Sequence, residues 1–108
     1  MLIAISSMGG SLDSQVSEKF GRAPYFLIVD TETMKFTPLL NAAGSMSGGA
    51  GPEAVRQVSA HGVSAVLTGQ LGPNAVTALA AAKISAVTGL TSAKTVRQAA
   101  QEYAGKKS

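Results

Sequence analysis

The sequence contains no cysteine. That removes disulfides, thiolate nucleophiles and every cysteine-ligated metal site at once. It has one histidine, His61, and no tryptophan. Ordinary zinc or haem coordination therefore lacks ligands. Aromatic residues make up 5% of the chain, so the stacking platforms of single-strand nucleic-acid readers are missing. The carboxylates are only Asp13, Glu18, Asp30, Glu32, Glu53 and Glu102. Two-metal nuclease chemistry needs several acids converging on one ion pair. Asp13 follows the first apolar run, whereas Asp30 and Glu32 close a hairpin that points the other way. No glycine-rich stretch ends in Gly-Lys-Ser/Thr, which excludes a nucleotide-triphosphate loop. No apolar run is long enough to span a bilayer. Met1–Ser6 is too short for a signal-peptide core and has no basic flank. These absences point to a soluble, cytoplasmic, non-enzymatic protein with no nucleic-acid or membrane partner. The net charge is +3. Lys94, Lys106 and Lys107 form no basic block, so the balance fits a small anionic ligand.

Within 108 residues of 45% apolar composition, one compact domain over 1–105 with a polar tail at 106–108 is expected. Its second half nearly repeats. Residues 51–69 read GPEAVRQVSAHGVSAVLTG and residues 72–89 read GPNAVTALAAAKISAVTG. Each unit opens on Gly-Pro-x-Ala-Val and closes on an apolar, β-branched run ending in Thr-Gly. Gly51 and Gly72 are expected helix caps. Pro52 and Pro73 then fall at the first helical position, where the missing N–H costs nothing. Val63–Leu67 and Ile84–Val87 read as buried parallel strands joined by a crossover helix. The Thr-Gly turns lie at the carboxyl edge of the sheet, where open parallel sheets bind ligands. Helix N-termini on that edge offer unpaired N–H groups and a positive dipole end. The Gly-Pro pairs are equally folding signals.

The first half predicts a central strand, Leu2–Ile5, followed by the small-residue loop 6–11. A short helix over Val16–Phe20, capped by Asp13 or Ser14 and ended by Gly21, comes next. Strands Tyr25–Val29 and Phe36–Leu40 form a hairpin around Asp30–Thr33. Asn41–Gly51 carries four glycines and no charge, and reads as a binding loop or a linker. The last helix runs from Lys94 to about Tyr103, capped by Thr91 or Ser92. Val96, Ala99, Ala100 and Tyr103 share its apolar face. The expected fold class is α/β. A ribonuclease-H-like mixed five-stranded sheet has the first strand central, the hairpin on one side and the repeat strands on the other.

Ser6–Phe26, SSMGGSLDSQVSEKFGRAPYF, resembles the Gly-loop, Leu-Asp-Ser-x-Val-Ser-Glu-x-Phe-Gly-Arg-Ala-Pro-Tyr-Phe pattern of the dinitrogenase iron–molybdenum cofactor biosynthesis family. Gly49–Ala54, the Leu67–Ala75 stretch LTGQLGPNA and Thr95–Ala99 match its other blocks in order. The resemblance covers nearly the whole chain. It implies a ribonuclease-H-like fold without nuclease activity and a role around metal–sulfur clusters. One small stand-alone member of similar size holds a molybdenum–copper sulfide cluster non-covalently. Some relatives use Cys or His as a metal ligand, and neither is available here at the carboxyl edge. His61 ends a helix about 15 Å long at 1.5 Å per residue, opposite that edge.

The expected function is non-enzymatic carriage of an anionic metal–sulfur cluster, either molybdenum–copper sulfide or an iron–molybdenum precursor. The alternative is an adaptor in cluster assembly or cell-division regulation that binds no cluster itself. Candidate contacts come from four loops. The first offers Ser7, Met8, Gly9 and Ser11, with Arg22 behind it as a cation. The glycine-rich loop offers Met46, Gly48 and Gly49. The repeat junction offers Thr68, Gly69, Gln70, Gly72 and Asn74, and the last loop Gly89, Thr91, Ser92 and Lys94. Hydroxyls, amides and backbone N–H groups donate hydrogen bonds, and glycines admit close backbone approach. Met8 and Met46 bring a soft thioether or simply pack.

Overall fold

The computed structural model describes residues 1–42 and 49–107. Its elements are β1 (Leu2–Ser7), β2 (Tyr25–Asp30), β3 (Phe36–Leu40), α1 (Ala50–Ser59), β4 (Ala65–Leu67), α2 (Pro73–Ala81), β5 (Ser85–Val87) and α3 (Val96–Lys107). The sheet order is β3-β2-β1-β4-β5. β1 is antiparallel to β2 and parallel to β4, and β4 is parallel to β5. The mixed five-stranded α/β architecture follows the sequence reading, with the first strand at the centre.

The strand alternation divides the core into two layers. Ala4, Phe26, Ile28 and Val66 point to one face, where they meet Ala54, Val55 and Val58 of α1 and Ala75 and Leu79 of α2. Ile3, Ile5, Leu27, Val29 and Leu67 point to the other, where Val96, Ala99, Ala100 and Tyr103 of α3 cover them. Both faces of β1 are therefore buried, which is why it reads as a continuous apolar run.

The two free edges differ. Asp30 N–H donates to the Lys35 carbonyl and Asn41 N–H to the Pro24 carbonyl. By strand alternation, Pro38 then stands at an outward position of β3, where its missing N–H costs the β2 ladder nothing and blunts the edge. β5 at the opposite edge has no such block.

Three expectations are corrected. Val16–Phe20 is not a helix. Its groups are spent on distant partners: Val16 N–H donates to the Lys94 carbonyl, Ser17 N–H to Ser6, and Phe20 N–H to Gln70. Isolated bridges join Ser7 to Val16 and Lys19 to Gln70. Second, α1 begins two residues early. Gly49, at φ 71°, is its N-cap, and Gly51 lies inside the first turn. Third, α3 is not capped by Thr91 or Ser92 and does not end near Tyr103. It starts at Val96 and continues through Lys107, into the stretch read as a polar tail. The glycine-rich expectation at 44–51 falls largely on residues 43–48, outside the described residues.

Candidate functional site

The carboxyl edge of the sheet is built on buried hydroxyls. The Ser6 hydroxyl lies 2.6 Å from the Ser17 carbonyl oxygen, to which it donates, and is hydrogen-bonded to the Thr68 hydroxyl at 2.7 Å. Both side chains are fully buried. They tie the ends of β1 and β4 to the 15–19 segment. Among the described residues no buried side-chain nitrogen or oxygen lacks a hydrogen-bond partner. Thr68 thus forms the floor of the edge. Gly69 belongs to the same floor. A Cβ there would come within 2.5 Å of the Glu18 carbonyl oxygen and 2.7 Å of that of Leu90, so the residue is glycine because three backbone segments cross.

Three helices begin along this edge, and their N-termini are not equivalent. α3 closes its own. Thr95 Oγ1 accepts from Gln98 N–H at 3.2 Å while the Gln98 side-chain oxygen accepts from Thr95 N–H at 2.9 Å. This is a reciprocal capping box. Val96 N–H donates to the Ser14 carbonyl and Arg97 N–H to that of Leu12. Every first-turn donor of α3 is therefore used. The signature Thr95-Val96-Arg97-Gln98 was present in the sequence as Thr-x-x-Gln and outranks Thr91 and Ser92. The Thr91 hydroxyl instead accepts from Ala93 N–H, and Ser92 N–H donates to Glu18. Lys94 is ion-paired with Glu102 along α3.

α1 and α2 leave their first turns open. Gly49 and Gly72 are their N-caps, and neither supplies a side-chain cap. Pro52 and Pro73 have no N–H to offer. The first bonds back to the caps come from Glu53 N–H and Val76 N–H. Among the described residues, the N–H groups of Ala50 and Gly51 in α1 and of Asn74 and Ala75 in α2 are then the orphan donors. The two helix starts meet side by side. A Cβ on Gly51 would stand 3.0 Å from the Ala75 Cβ, and one on Gly21 would stand 3.2 Å from Gly51 N. A cradle of about 220 Å³ results, lined by Gly21, Arg22, Gly49–Pro52 and Gly72–Ala75. Phe20 holds the Gly21-Arg22 corner down, its ring 5.0 Å from that of Phe26. Helix dipoles, open N–H groups and a guanidinium give this cradle a preference for anions.

A second depression of about 490 Å³ adjoins it and shares Arg22; Met8, Glu18, Lys19 and Ser92 are among its walls. The predicted contacts thus separate. Arg22, Gly49, Gly72 and Asn74 come together in the cradle. Met8 and Ser92 line the adjoining depression. Ser7 folds its hydroxyl back on the Gly9 carbonyl, and Ser11 and Ser14 pair with each other. Gln70 is bridged to Lys19, and Gly89, at φ 87°, serves the turn after β5. Met46 and Gly48 lie outside the described residues. Sequence reasoning misses Ala50, Gly51 and Ala75. Their signal was the Gly-Pro repeat itself, whose donors are backbone groups and show in no side-chain type. Among the described residues, no three His, Asp or Glu side chains gather as a metal site. His61 follows the far end of α1.

Solved structures and one sequence family resemble this chain. The apo form of the orange protein from Desulfovibrio gigas is 38% identical, with a TM-score of 0.92 over 98% of this chain and 88% of that one. A putative NifB protein from Thermotoga, solved by NMR, is 32% identical, with a TM-score of 0.81 over 96% of this chain and 87% of that one. No curated protein sequence matches. The sequence model of the dinitrogenase iron-molybdenum cofactor family matches residues 1–106, and this chain belongs to that family.

Proposed function

We propose that this metal-cluster-related protein is a non-enzymatic carrier of an anionic metal–sulfur cluster, seated where α1 and α2 begin. The observation that carries the reading is the contrast between helix starts. α3 satisfies its own donors, whereas among the described residues α1 and α2 leave four N–H groups open beside Arg22. The donor set fits such a guest. With no cysteine in the chain and His61 at the other end, the cluster's own sulfides complete its metal coordination. The protein acts from outside, through N–H groups, charge and the apolar walls of Ala50, Pro52, Pro73 and Ala75. Met8, 54% exposed in the adjoining depression, offers a thioether to a soft metal such as copper. The likeness to the orange protein supports a molybdenum–copper sulfide cluster as the guest.

The test is titration of the apo-protein with tetrathiomolybdate under anaerobic conditions, with and without copper(I), followed by desalting. The expected result is strong visible absorption and metal retained in a fixed ratio to protein, reduced by Arg22→Glu. A folded protein that retains no metal would overturn the carrier reading and leave the adaptor role.

A further inference from the structure

On the α3 face of the sheet, away from the cradle, a groove of about 440 Å³ runs beside β5. Its floor and walls are Leu67, Val87, Leu90, Ala99 and Tyr103, with Lys106 at one end. α3 covers β1 and β4 but leaves this strip open. β5 is a free edge. Ser85 N–H donates to the Ser64 carbonyl, and the Val87 carbonyl accepts from Thr68 N–H. By alternation, the N–H and C=O of Ala86 point outward, with nothing like Pro38 to blunt them. The charge around this edge is one-sided. Between Gln70 and Ala93 the sequence has a single charged residue, Lys83. It lies two residues before β5, and Lys106 and Ser85 both line the groove. Among the described residues neither lysine has an acidic partner. Glu102, the one acid among the described residues that line the groove, is paired with Lys94.

We propose that β5 accepts a strand from an acidic partner protein. The occupant is an extended segment with apolar side chains on one face and acidic residues at the end that meets the start of β5. Its backbone pairs with Ala86, every second side chain enters the groove over Ala99 and Tyr103, and its acids face Lys83 and Lys106. Strand addition takes affinity from main-chain bonds and selectivity from such alternate pockets. A second copy of this chain is disfavoured, because it would bring four unpaired lysines to one charge-poor edge.

The test follows backbone amides of the full chain by NMR. The probe is a blocked synthetic peptide of alternating valine and threonine with two aspartates at one end. Shifts are expected at Ser85–Thr88 and Tyr103. A peptide with lysines in place of the aspartates is expected to bind about tenfold more weakly, and the Lys83→Glu, Lys106→Glu protein to reverse that preference. Ala86→Pro, which copies the outward proline of β3, is expected to abolish the shifts. Should it fail to fold, the double lysine variant still decides. No shift at these amides with millimolar aspartate peptide, equal binding of both peptides, or concentration-dependent self-association that Ala86→Pro removes would each overturn the proposal.

Discussion

At Gly51 a single hydrogen atom sets how close two helices come. The Gly-Pro pair reads in the sequence as a cap followed by the first helical residue. That holds for Gly72-Pro73 but not for Gly51-Pro52, because Gly51 is needed inside the turn, where a Cβ would stand 3.0 Å from that of Ala75. Two identical dipeptides therefore do different work, and only the packing tells them apart. At Gly72 the backbone is extended and a Cβ meets nothing within 4 Å, so a side chain fits there without crowding the turn. Glu53, one residue beyond the cradle lining, poses an electrostatic problem for an incoming anion. Arg56 answers it. Its guanidinium hydrogen-bonds the Glu53 carboxylate, with its charge adding to the effect, and this holds that carboxyl below its ordinary value of 4.5. A depressed folded-state value means the pair stabilises the fold above about pH 4.5 and loses that contribution as pH falls through the lower folded value. Arg56→Ala is therefore expected to reduce the drop in urea midpoint between neutral and acid pH. It is also expected to weaken thiomolybdate binding at neutral pH by uncovering an acid next to the cradle. Binding unchanged in that variant would mean that Glu53 lies outside the anion's field.

At the scale of elements, the strands, their order and both crossover helices are legible in the sequence, but β5, read as a buried strand, lies largely exposed at the sheet edge because no further strand covers it. The Val16–Phe20 segment is not legible. Its apolar spacing suits one helical turn, but its backbone is claimed by Ser6, Gln70 and Lys94, and such long-range pairing leaves no local mark. The helix starts show the same limit from the other side. Side-chain types pointed to Thr68, Thr91, Ser92 and Lys94, while the open donors are main-chain groups. This yields a paired prediction. Thr95→Ala breaks the capping box of α3 and is expected to lower stability by about 1 kcal/mol without changing anion binding. Gly72→Asp does the opposite. An aspartate at the N-cap of α2 accepts from the same N–H groups that face the cradle and complements the dipole. It is expected to raise apo stability by about 0.5–1 kcal/mol and to weaken anion binding. Thermal midpoint and retained metal, measured side by side, check both. If both variants move binding alike, the helix starts are not distinct in function.

The whole molecule is a sheet with two helices on one face and one on the other, and its two layers offer different surfaces. The α1–α2 layer presents open donors and Arg22. The α3 layer closes its helix start and presents an apolar groove at a free edge. An anion seated in the cradle as proposed would touch α1, α2 and the 21–22 corner together, so its binding is expected to stabilise the native state as a unit. At a free concentration a hundredfold above the dissociation constant, that linkage adds about 2.7 kcal/mol. For a domain of about 100 residues it corresponds to a rise in thermal midpoint of roughly 10–20 °C. The size of the rise reports the site. His61→Ala should leave it unchanged, since His61 lies beyond the far end of α1. Arg22→Glu should shrink it, by replacing a cation at the rim with a repelling charge. Raising the salt from about 0.05 to 0.5 M should shrink it further in the wild type than in Arg22→Glu, because the Debye length falls from above 10 Å to below 8 Å and only the wild type has an attraction there to screen. A thermal shift lost in His61→Ala and intact in Arg22→Glu would move the anion to the opposite end of the molecule and leave the open helix starts without a role.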